Sequence, residues 1–319
     1  MLSILIRIAL SGAFAAAGAG PAHAQSAYPS RPVQVIVGFP AGGSVDVMAR
    51  SLVASVSAQL GQAFVVVNRD GLSGTIGFGA VAGARADGYT LGAGPTTPIS
   101  VAPHLLADVK YGVDSFEYVC QSFENVFTIA VPLDSPLRSM AELVASARAN
   151  PGKLAYGHSG VGTVPHLSVA NFLYRTGIDV PAVPYRGEAA MLPDLVSGRL
   201  QLGAPSVALA VGQKVRVLAV FADSRHPAFP EAPTFKELGM PSMPPGLNGL
   251  FAPKGTPRAA LATLERACEQ AVQGESFRAL AQKLSQRVAY LDGAQFAERA
   301  REDSRYKGEL IKALKIRID

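Results

Sequence analysis

The sequence predicts an α/β fold with largely parallel sheets, and two observations support this prediction. Apolar runs of strand length alternate with segments of helical periodicity, and short loops rich in Gly and Pro separate them. Of the 319 residues, 49% are apolar and only 17% are charged, which provides enough apolar surface for a substantial core. The same balance excludes an intrinsically disordered chain and a coiled coil.

Strands and helices alternate through the first part of the chain. Val33–Val37 is predicted as a buried strand because its residues are mostly apolar and β-branched. Apolar residues then recur at helical spacing from Val45 until Gly61, which ends the helix. Further strands are predicted at 64–67, 89–93 and 127–131.

The middle of the chain continues this alternation. Its predicted helices are 139–149, 165–174 and 188–197, and its predicted strands are 154–156, 180–183 and 215–221.

A proline-rich stretch marks a crossover near the C-terminal third. Residues 227–257 include eight prolines, so we expect extended or turning chain that crosses between domains. A helix capped by Thr256-Pro257 follows and continues to Val272, and two more helical segments end the chain.

The N-terminus predicts secretion. Arg7 supplies a positive charge, Ile8 to Gly20 is apolar, and Ala22-His23-Ala24 matches the small-x-small pattern of a signal-peptidase site. The apolar stretch is shorter than the ~20 residues that a membrane-spanning helix needs. We therefore expect a signal peptide over 1–24 that is cleaved to release a mature chain starting near Gln25.

The charge of the chain favours a small anionic ligand. Lys and Arg number 29 against 24 Asp and Glu, so the net charge is +5, or +4 without Arg7. This surplus is mild, no block of five or more Lys and Arg occurs, and Trp is absent. A nucleic-acid partner is therefore not expected.

Two cysteines exclude a disulfide-rich scaffold and a cysteine-based zinc site. Cys268 shares a helical face with apolar residues, and Cys120 follows Tyr118 and Val119 in a strand-like run. We expect both to be buried apolar side chains, although an oxidising compartment would permit one bridge between them.

Two Gly-rich loops are candidate anion sites, because each follows a strand and opens a helix, where backbone N–H groups are unpaired and the helix dipole is positive. They are Phe39 to Asp46 and Ser159 to His166. For either loop taken alone, an ordinary capped strand-to-helix turn is the favoured interpretation. The glycines Gly42, Gly43, Gly160 and Gly162 would permit close approach, and Ser44, Ser159 and Thr163 add hydroxyl groups.

Signatures of known catalytic and cofactor sites are missing. The sequence Gly157-His158-Ser159-Gly160-Val161 lacks the second glycine of a hydrolase elbow, and no P-loop occurs. The glycine cluster from Gly71 to Gly79 lacks the context of a dinucleotide fingerprint. The histidines have no metal-ligand spacing. We therefore predict no catalytic residue, no cofactor and no metal site.

Ordered motifs along the chain resemble one known family. They include Tyr28-Pro29-Ser30-Arg31-Pro32, Phe39-Pro40-Ala41-Gly42-Gly43-Ser44-Val45-Asp46, Asp87-Gly88-Tyr89-Thr90-Leu91, Val183-Pro184-Tyr185-Arg186-Gly187 and Leu250-Phe251-Ala252-Pro253-Lys254-Gly255-Thr256-Pro257. In this order they resemble the Bug (TctC-like) substrate-binding receptors of tripartite tricarboxylate transporters. The resemblance runs from about Tyr28 to the C-terminus.

This resemblance implies a fold like that of type II periplasmic binding proteins. Two α/β lobes would be joined by hinge strands, with the ligand cleft between them. Lobe 1 would comprise 26–125 and 250–319, and lobe 2 would comprise 126–249. The protein would be a periplasmic, monomeric receptor that closes around a small organic acid.

The resemblance also implies which residues contact the ligand. One loop, matching Phe39 to Asp46, would hold a ligand carboxylate, and a loop matching Ser159 to Thr163 would face it from the other lobe. The residues expected at the site are Phe39, Pro40, Ala41, Gly42, Gly43, Asp46, Thr96, Thr97, Ser159, Gly160, Gly162, Thr163, His166, Arg186 and Ser206. The segment 201–206 lacks the usual acidic or Asn residues, and 244–249 lacks an aromatic pair, so ligand identity does not follow from the family.

Three functions compete at this point. The first is a receptor that delivers a carboxylate to membrane permease subunits, and the second is one that presents its bound state to a sensor kinase ectodomain. The third is a secreted hydrolase that uses Ser159 with His158 or His166, which is disfavoured because neighbouring residues rarely place a base on a nucleophile.

Overall fold

A computed structural model describes residues 28–240 and 243–317. The predicted signal peptide, Met1 to Ala24, lies outside the described residues. Within the described residues, no helix combines the length and apolar character that crossing a membrane requires.

A six-stranded sheet forms the centre of the first lobe. Its strand order is β11-β4-β10-β3-β1-β2. Strand β1 runs parallel to β2 and β3, whereas β10, β4 and β11 form antiparallel pairs. The strands are β1 (Val33–Val37), β2 (Phe64–Asn68), β3 (Thr90–Pro95), β4 (Phe116–Asn125), β10 (Gly246–Pro253) and β11 (Arg287–Asp292).

A five-stranded sheet forms the centre of the second lobe. Its strand order is β7-β6-β8-β5-β9, with β6 parallel to β7 and β8 and with β5 antiparallel to β8 and β9. The strands are β5 (Thr128–Pro132), β6 (Tyr156–His158), β7 (Ala182–Pro184), β8 (Leu202–Gly203) and β9 (Val215–Val220).

Both sheets are therefore mixed, and the expectation of largely parallel sheets is wrong. Strand β4 leads directly into β5 of the other sheet, and β10 brings the chain back beside β4 in the opposite direction. Apolar periodicity identifies a strand but not the direction of its neighbour, so the sequence pattern could not show this.

Helices cover the sheets in each lobe. Those of the first lobe are α1 (Ser44–Leu60), α2 (Thr75–Ala82), α3 (Thr97–Ser100), α4 (Ala102–Leu105), α9 (Arg258–Gln273), α10 (Glu275–Lys283) and α11 (Gly293–Leu314). Those of the second lobe are α5 (Met140–Ala149), α6 (Val164–Thr176), α7 (Glu188–Val196) and α8 (Val207–Ala210). The short helices α2, α3, α4 and α8 were not among the predicted elements, because they contain too few turns to show a period.

Each lobe has its own apolar core. In the first lobe, β1 and β3 pack against α1 and α9, and in the second lobe β5 and β9 pack against α5 and α6. A separate small cluster joins the lobes, since Val101 of the first lobe and Ile311 of α11 pack with Leu167 of α6. Residue limits of 26–125 with 250–319 and of 126–249 for the lobes stay a prediction.

Cys120 of β4 and Cys268 of α9 are both fully buried, as expected, but they are joined by a disulfide. The expectation that they are merely two buried apolar side chains is therefore wrong. Their sequence separation of 148 residues concealed the contact, because local pattern does not show which helix covers which strand.

Candidate functional site

A cavity of about 640 Å³ lies between the lobes. The first lobe lines it with residues 38–40 and 70–76 and with parts of α3 and α4, and the second lobe lines it with 159–162 and 185–187. A smaller cavity of about 100 Å³ adjoins it and shares Phe39, Thr97, Ser159 and Arg186. The two cavities together form the cleft.

The first loop is shaped by a buried aspartate. Asp46 Oδ2 accepts hydrogen bonds from the Gly42 N–H at 3.0 Å and from Arg50 Nε at 2.9 Å, and Asn68 Nδ2 donates to Oδ1 at 2.8 Å. Burial opposes ionisation, but these donors outweigh it and hold the pKa of Asp46 below its ordinary value. Gly42 has φ of +82°, a conformation that L side chains rarely adopt. Asp46 therefore holds the loop in shape from behind the cleft wall.

The second loop is held by hydroxyl groups and by histidines beneath it. Thr163 Oγ1 donates to the Gly160 carbonyl at 2.7 Å, and Ser159 Oγ donates to Thr163 Oγ1 at 3.4 Å. The Gly162 N–H donates to His166 Nδ1 at 3.1 Å. His158 Nδ1 lies 2.8 Å from the Gly160 carbonyl oxygen and 3.2 Å from the Gly160 backbone nitrogen, so it donates to the carbonyl in one tautomer and accepts the N–H in the other.

The two histidines pack against each other as neutral rings. Their centroids lie 4.4 Å apart, and both are buried. Burial lowers the pKa of His158 to about 4. Burial and the neighbouring His158 lower the pKa of His166 to about 3. The loop therefore rests on an uncharged surface at neutral pH.

Gly162 lies where the lobes touch. Its φ is +77°, and a Cβ atom there would lie 2.6 Å from Leu105 Cδ1 and 2.9 Å from Val101 Cγ1, both of the first lobe. A larger residue at this position would therefore push against the opposite wall of the cleft. Ser73 makes a second contact between the lobes, because its Oγ donates to the Val161 carbonyl at 3.0 Å.

A carboxylate of the chain itself links the lobes at the small cavity. Glu188, at the start of α7, accepts from Ser44 Oγ of the first lobe at 2.8 Å and from Ser206 Oγ at 3.0 Å through Oε1. Its Oε2 accepts from the Ser206 N–H at 2.7 Å. The acidic side chain beside Ser206 therefore comes from α7, whereas the segment before Ser206 has none.

Arg186 supplies positive charge to the cleft. Its side chain lines both cavities and is exposed, and it forms no ion pair with the described residues. An unpaired guanidinium that faces a cavity is suited to bind a carboxylate with two parallel hydrogen bonds.

The structure brings ten of the fifteen predicted site residues to the cavity walls: Phe39, Pro40, Ala41, Gly43, Thr97, Ser159, Gly160, Gly162, Thr163 and Arg186. The other five are absent from the walls: Gly42, Asp46, Thr96, His166 and Ser206.

Four of these five are buried, and their side chains bond to other parts of the protein. Thr96 is fully buried, and its Oγ1 donates to Asp303 of α11 at 3.4 Å. Asp46, His166 and Ser206 are occupied by the hydrogen bonds described above. Direct contact of these residues with a ligand stays a prediction, and the role that the geometry gives them is to position the cleft loops.

A family model decides what kind of protein this cleft belongs to. The model described as the tripartite tricarboxylate transporter family receptor matches residues 48–316. The chain belongs to this family. It is therefore a solute-binding receptor of a non-catalytic family, and its two mixed sheets are those of a periplasmic binding protein-like fold.

Relatives across the family share most of the receptor's length. Protein BugT of Bordetella pertussis is 32% identical over 286 residues, which are 84% of this chain and 85% of BugT. The structure of periplasmic binding protein BugD is 28% identical with a TM-score of 0.84, covering 91% of this chain and 99% of BugD.

Two further solved structures are of relatives with a dicarboxylate. An R. palustris protein with adipate is 30% identical with a TM-score of 0.83, covering 91% of this chain and 99% of that one. MatC of Rhodopseudomonas palustris with bound malate is 27% identical with a TM-score of 0.81, covering 89% of this chain and 100% of that one.

A further loop, beyond those of the predicted site residues, lines the cleft. Residues 71–76 line the large cavity, and they include Leu72 and Ile76, whose side chains are 62% and 52% exposed. The sequence signal for this loop is the glycine cluster from Gly71 to Gly79, which lacks the context of a dinucleotide fingerprint but is typical of a loop. Glu188 was likewise predicted only as the start of a helix.

The geometry does not support hydrolysis at Ser159. Its Oγ bonds to Thr163 and to neither imidazole among the described residues. Across the same residues, no group of three His, Cys, Asp or Glu side chains is arranged to hold a metal ion.

Proposed function

We propose that this receptor captures a small organic acid in the periplasm and delivers it to the membrane permease of a tripartite tricarboxylate transporter. The observation that carries the proposal is the cavity between the lobes, with the unpaired Arg186 guanidinium on its wall. The relatives solved with adipate and malate support a carboxylate ligand. The signal peptide predicted over Met1 to Ala24 supports the location.

Ligand capture follows from the position of the cleft. Loops of both lobes line the cavity, so a bound acid would contact both at once. A ligand that contacts both lobes only when they are closed shifts the population toward the closed form. A permease can then recognise a closed, loaded receptor.

Two measurements test the proposal. Native mass spectrometry of the receptor purified from its host should show a retained organic acid, and thermal unfolding with a panel of mono-, di- and tricarboxylates should show which acids stabilise it. At 100 times its dissociation constant, a ligand stabilises the folded state by roughly 2.7 kcal/mol.

A matched pair of variants tests whether the ligand carboxylate binds at Arg186. Arg186→Gln should lose most of the ligand-induced stabilisation, whereas Arg278→Gln, on an exposed position of α10, should keep it. The proposal fails if no acid is retained and none in the panel stabilises the receptor.

The downstream partner needs its own test, because a receptor that presents its bound state to a sensor kinase would show the same closure. Cross-linked loaded receptor should co-purify with permease subunits. Recovery of a sensor ectodomain in their place would favour the signalling alternative.

A further inference from the structure

We propose that the ligand is an organic acid with an apolar body and a single carboxylate, and that Glu188 excludes a second carboxylate from the small cavity. This inference rests on the proposed function, because it takes a carboxylate ligand as given and specifies its class.

The large cavity has an apolar wall. Leu72 and Ile76 are among the most exposed large apolar side chains of the described residues, and both face this cavity. Val101, Leu105 and Val161 line it as well. Exposed apolar side chains on the wall of a cleft favour a ligand whose apolar surface covers them. A ligand carrying several hydroxyl or carboxylate groups would bury those groups against this wall without partners.

The small cavity already contains a carboxylate. Glu188 lies on its wall, and its carboxylate accepts hydrogen bonds from the hydroxyl groups of Ser44 and Ser206 and from the Ser206 N–H. A ligand carboxylate that entered here would find these donors committed and would face a charge of the same sign. Two like charges at hydrogen-bonding distance in a partly buried site repel each other strongly.

The charges on the cleft walls provide for one anionic group only. Of the described residues that line the two cavities, Arg186 is the single Lys or Arg, and Asp70 and Glu188 are the acids. Arg186 has no ion-pair partner within residues 28–240 and 243–317, so one ligand carboxylate can pair with it. A second carboxylate would have no cation on these walls.

The test compares acids that differ only in the second carboxylate. Dissociation constants of the full receptor are measured by calorimetry for hexanoate against adipate and for benzoate against terephthalate. We expect the monocarboxylate of the better-binding pair to bind at least ~10-fold more tightly, which corresponds to about 1.4 kcal/mol. Citrate should bind more weakly than either member of that pair.

Variants at position 188 test whether Glu188 causes the preference for monocarboxylates over dicarboxylates. Glu188→Gln removes the charge and keeps the side-chain shape, so the ratio between monocarboxylate and dicarboxylate should fall to within about 3-fold. Glu188→Asp keeps the charge and should keep the preference. Circular dichroism confirms that each variant is folded.

The outcomes separate the inference from the function on which it rests. Tighter binding of adipate or terephthalate by the unaltered receptor overturns the inference while leaving the proposed function intact. An unchanged ratio in folded Glu188→Gln overturns the role of Glu188. If no mono-, di- or tricarboxylate binds, the proposed function itself has failed. Comparison of the unaltered receptor with the paired acids decides the ligand class even if Glu188→Gln does not fold.

Discussion

Acidification should destabilise this receptor through the two neutral histidines beneath the second cleft loop. His158 and His166 have pKa values of about 4 and about 3 in the folded state, because both imidazoles are buried. In an unfolded chain the same groups titrate near ~6.5. Between the folded and unfolded values the unfolded chain binds more protons, so this stability is complete above about pH 6.5 and is lost as the pH falls.

The magnitude follows from the size of these shifts. Across that window, each buried imidazole lowers the free energy of unfolding by about 1.4 kcal/mol for every pH unit of acidification. Lowering the pH from about 6.5 to about 5 therefore removes up to roughly 2 kcal/mol of stability per histidine. One kcal/mol shifts the Tm of a domain of this size by about 2–4 °C. The two histidines together should therefore lower the Tm by as much as about 8–16 °C.

A variant separates His166 from the other titrating groups. In His166→Asn, the carboxamide oxygen can accept the Gly162 N–H in place of Nδ1 without titrating. Its Tm should fall less between about pH 7 and about pH 5 than that of the unaltered receptor, by up to roughly 4–8 °C. His104 and His226, whose pKa values burial also lowers, are present in both proteins and cancel in the comparison.

Two further features make the comparison specific. Asp46 has a lowered pKa, so its contribution to stability is present above the ordinary carboxyl pKa. That contribution is lost only at a pH below the range in which the two proteins are compared. His226→Asn is the matched control, and it should change the pH dependence less because His226 is only partly buried. If acidification lowers the Tm of His166→Asn and of the unaltered receptor by the same amount, burial of the neutral His166 does not cause the pH dependence.

Four other predictions rest on the same structure. Reduction of the Cys120–Cys268 disulfide should lower the free energy of unfolding by about 2–4 kcal/mol, which denaturant titration with and without reductant measures; equal midpoints would contradict it. Gly162→Val should weaken ligand binding and also lower the apo Tm, because the new side chain meets the opposite lobe in a strained conformation. Thr163→Val is the milder probe, and it should weaken ligand binding through loss of the hydrogen bond to Gly160, with Ser276→Val as the control that keeps full binding. Small-angle scattering should show a smaller radius of gyration with saturating ligand, and an unchanged radius would count against hinged closure.

Much of the fold was accessible from local pattern. Strand β1 and helix α1, with Gly61 as its left-handed cap, were predicted almost to the residue because strong apolar periodicity and a terminating glycine coincide there. Strand β6 was predicted two residues early, at 154–156 in place of Tyr156–His158. The residues from 154 to 158 are compatible with a strand at 154–156 or at Tyr156–His158. Pairing with β7 and β8 selects the second set of limits.

The candidate site was only partly accessible for a different reason. Gly-rich turns at strand ends identify loops, and Phe39, Pro40 and Ser159 of the two predicted loops line the cavity, while their contact with a ligand stays a prediction. Whether a residue in such a loop faces the cavity or the protein depends on its partners, and Asp46 and His166 face inward to bond with Gly42 and Gly162.

The sequence by itself determined the longer helices, many of the strands, the two Gly-rich loops and, through ordered motifs, the receptor family. Each of these depends on residues close together in the chain or on their order along it. Only the tertiary structure decided the contact between Ser44 and Glu188, which are 144 residues apart, and the disulfide, which joins residues 148 apart. Such contacts arise when separate elements pack together, and the periodicity of one element holds no information about which distant side chain will lie against it.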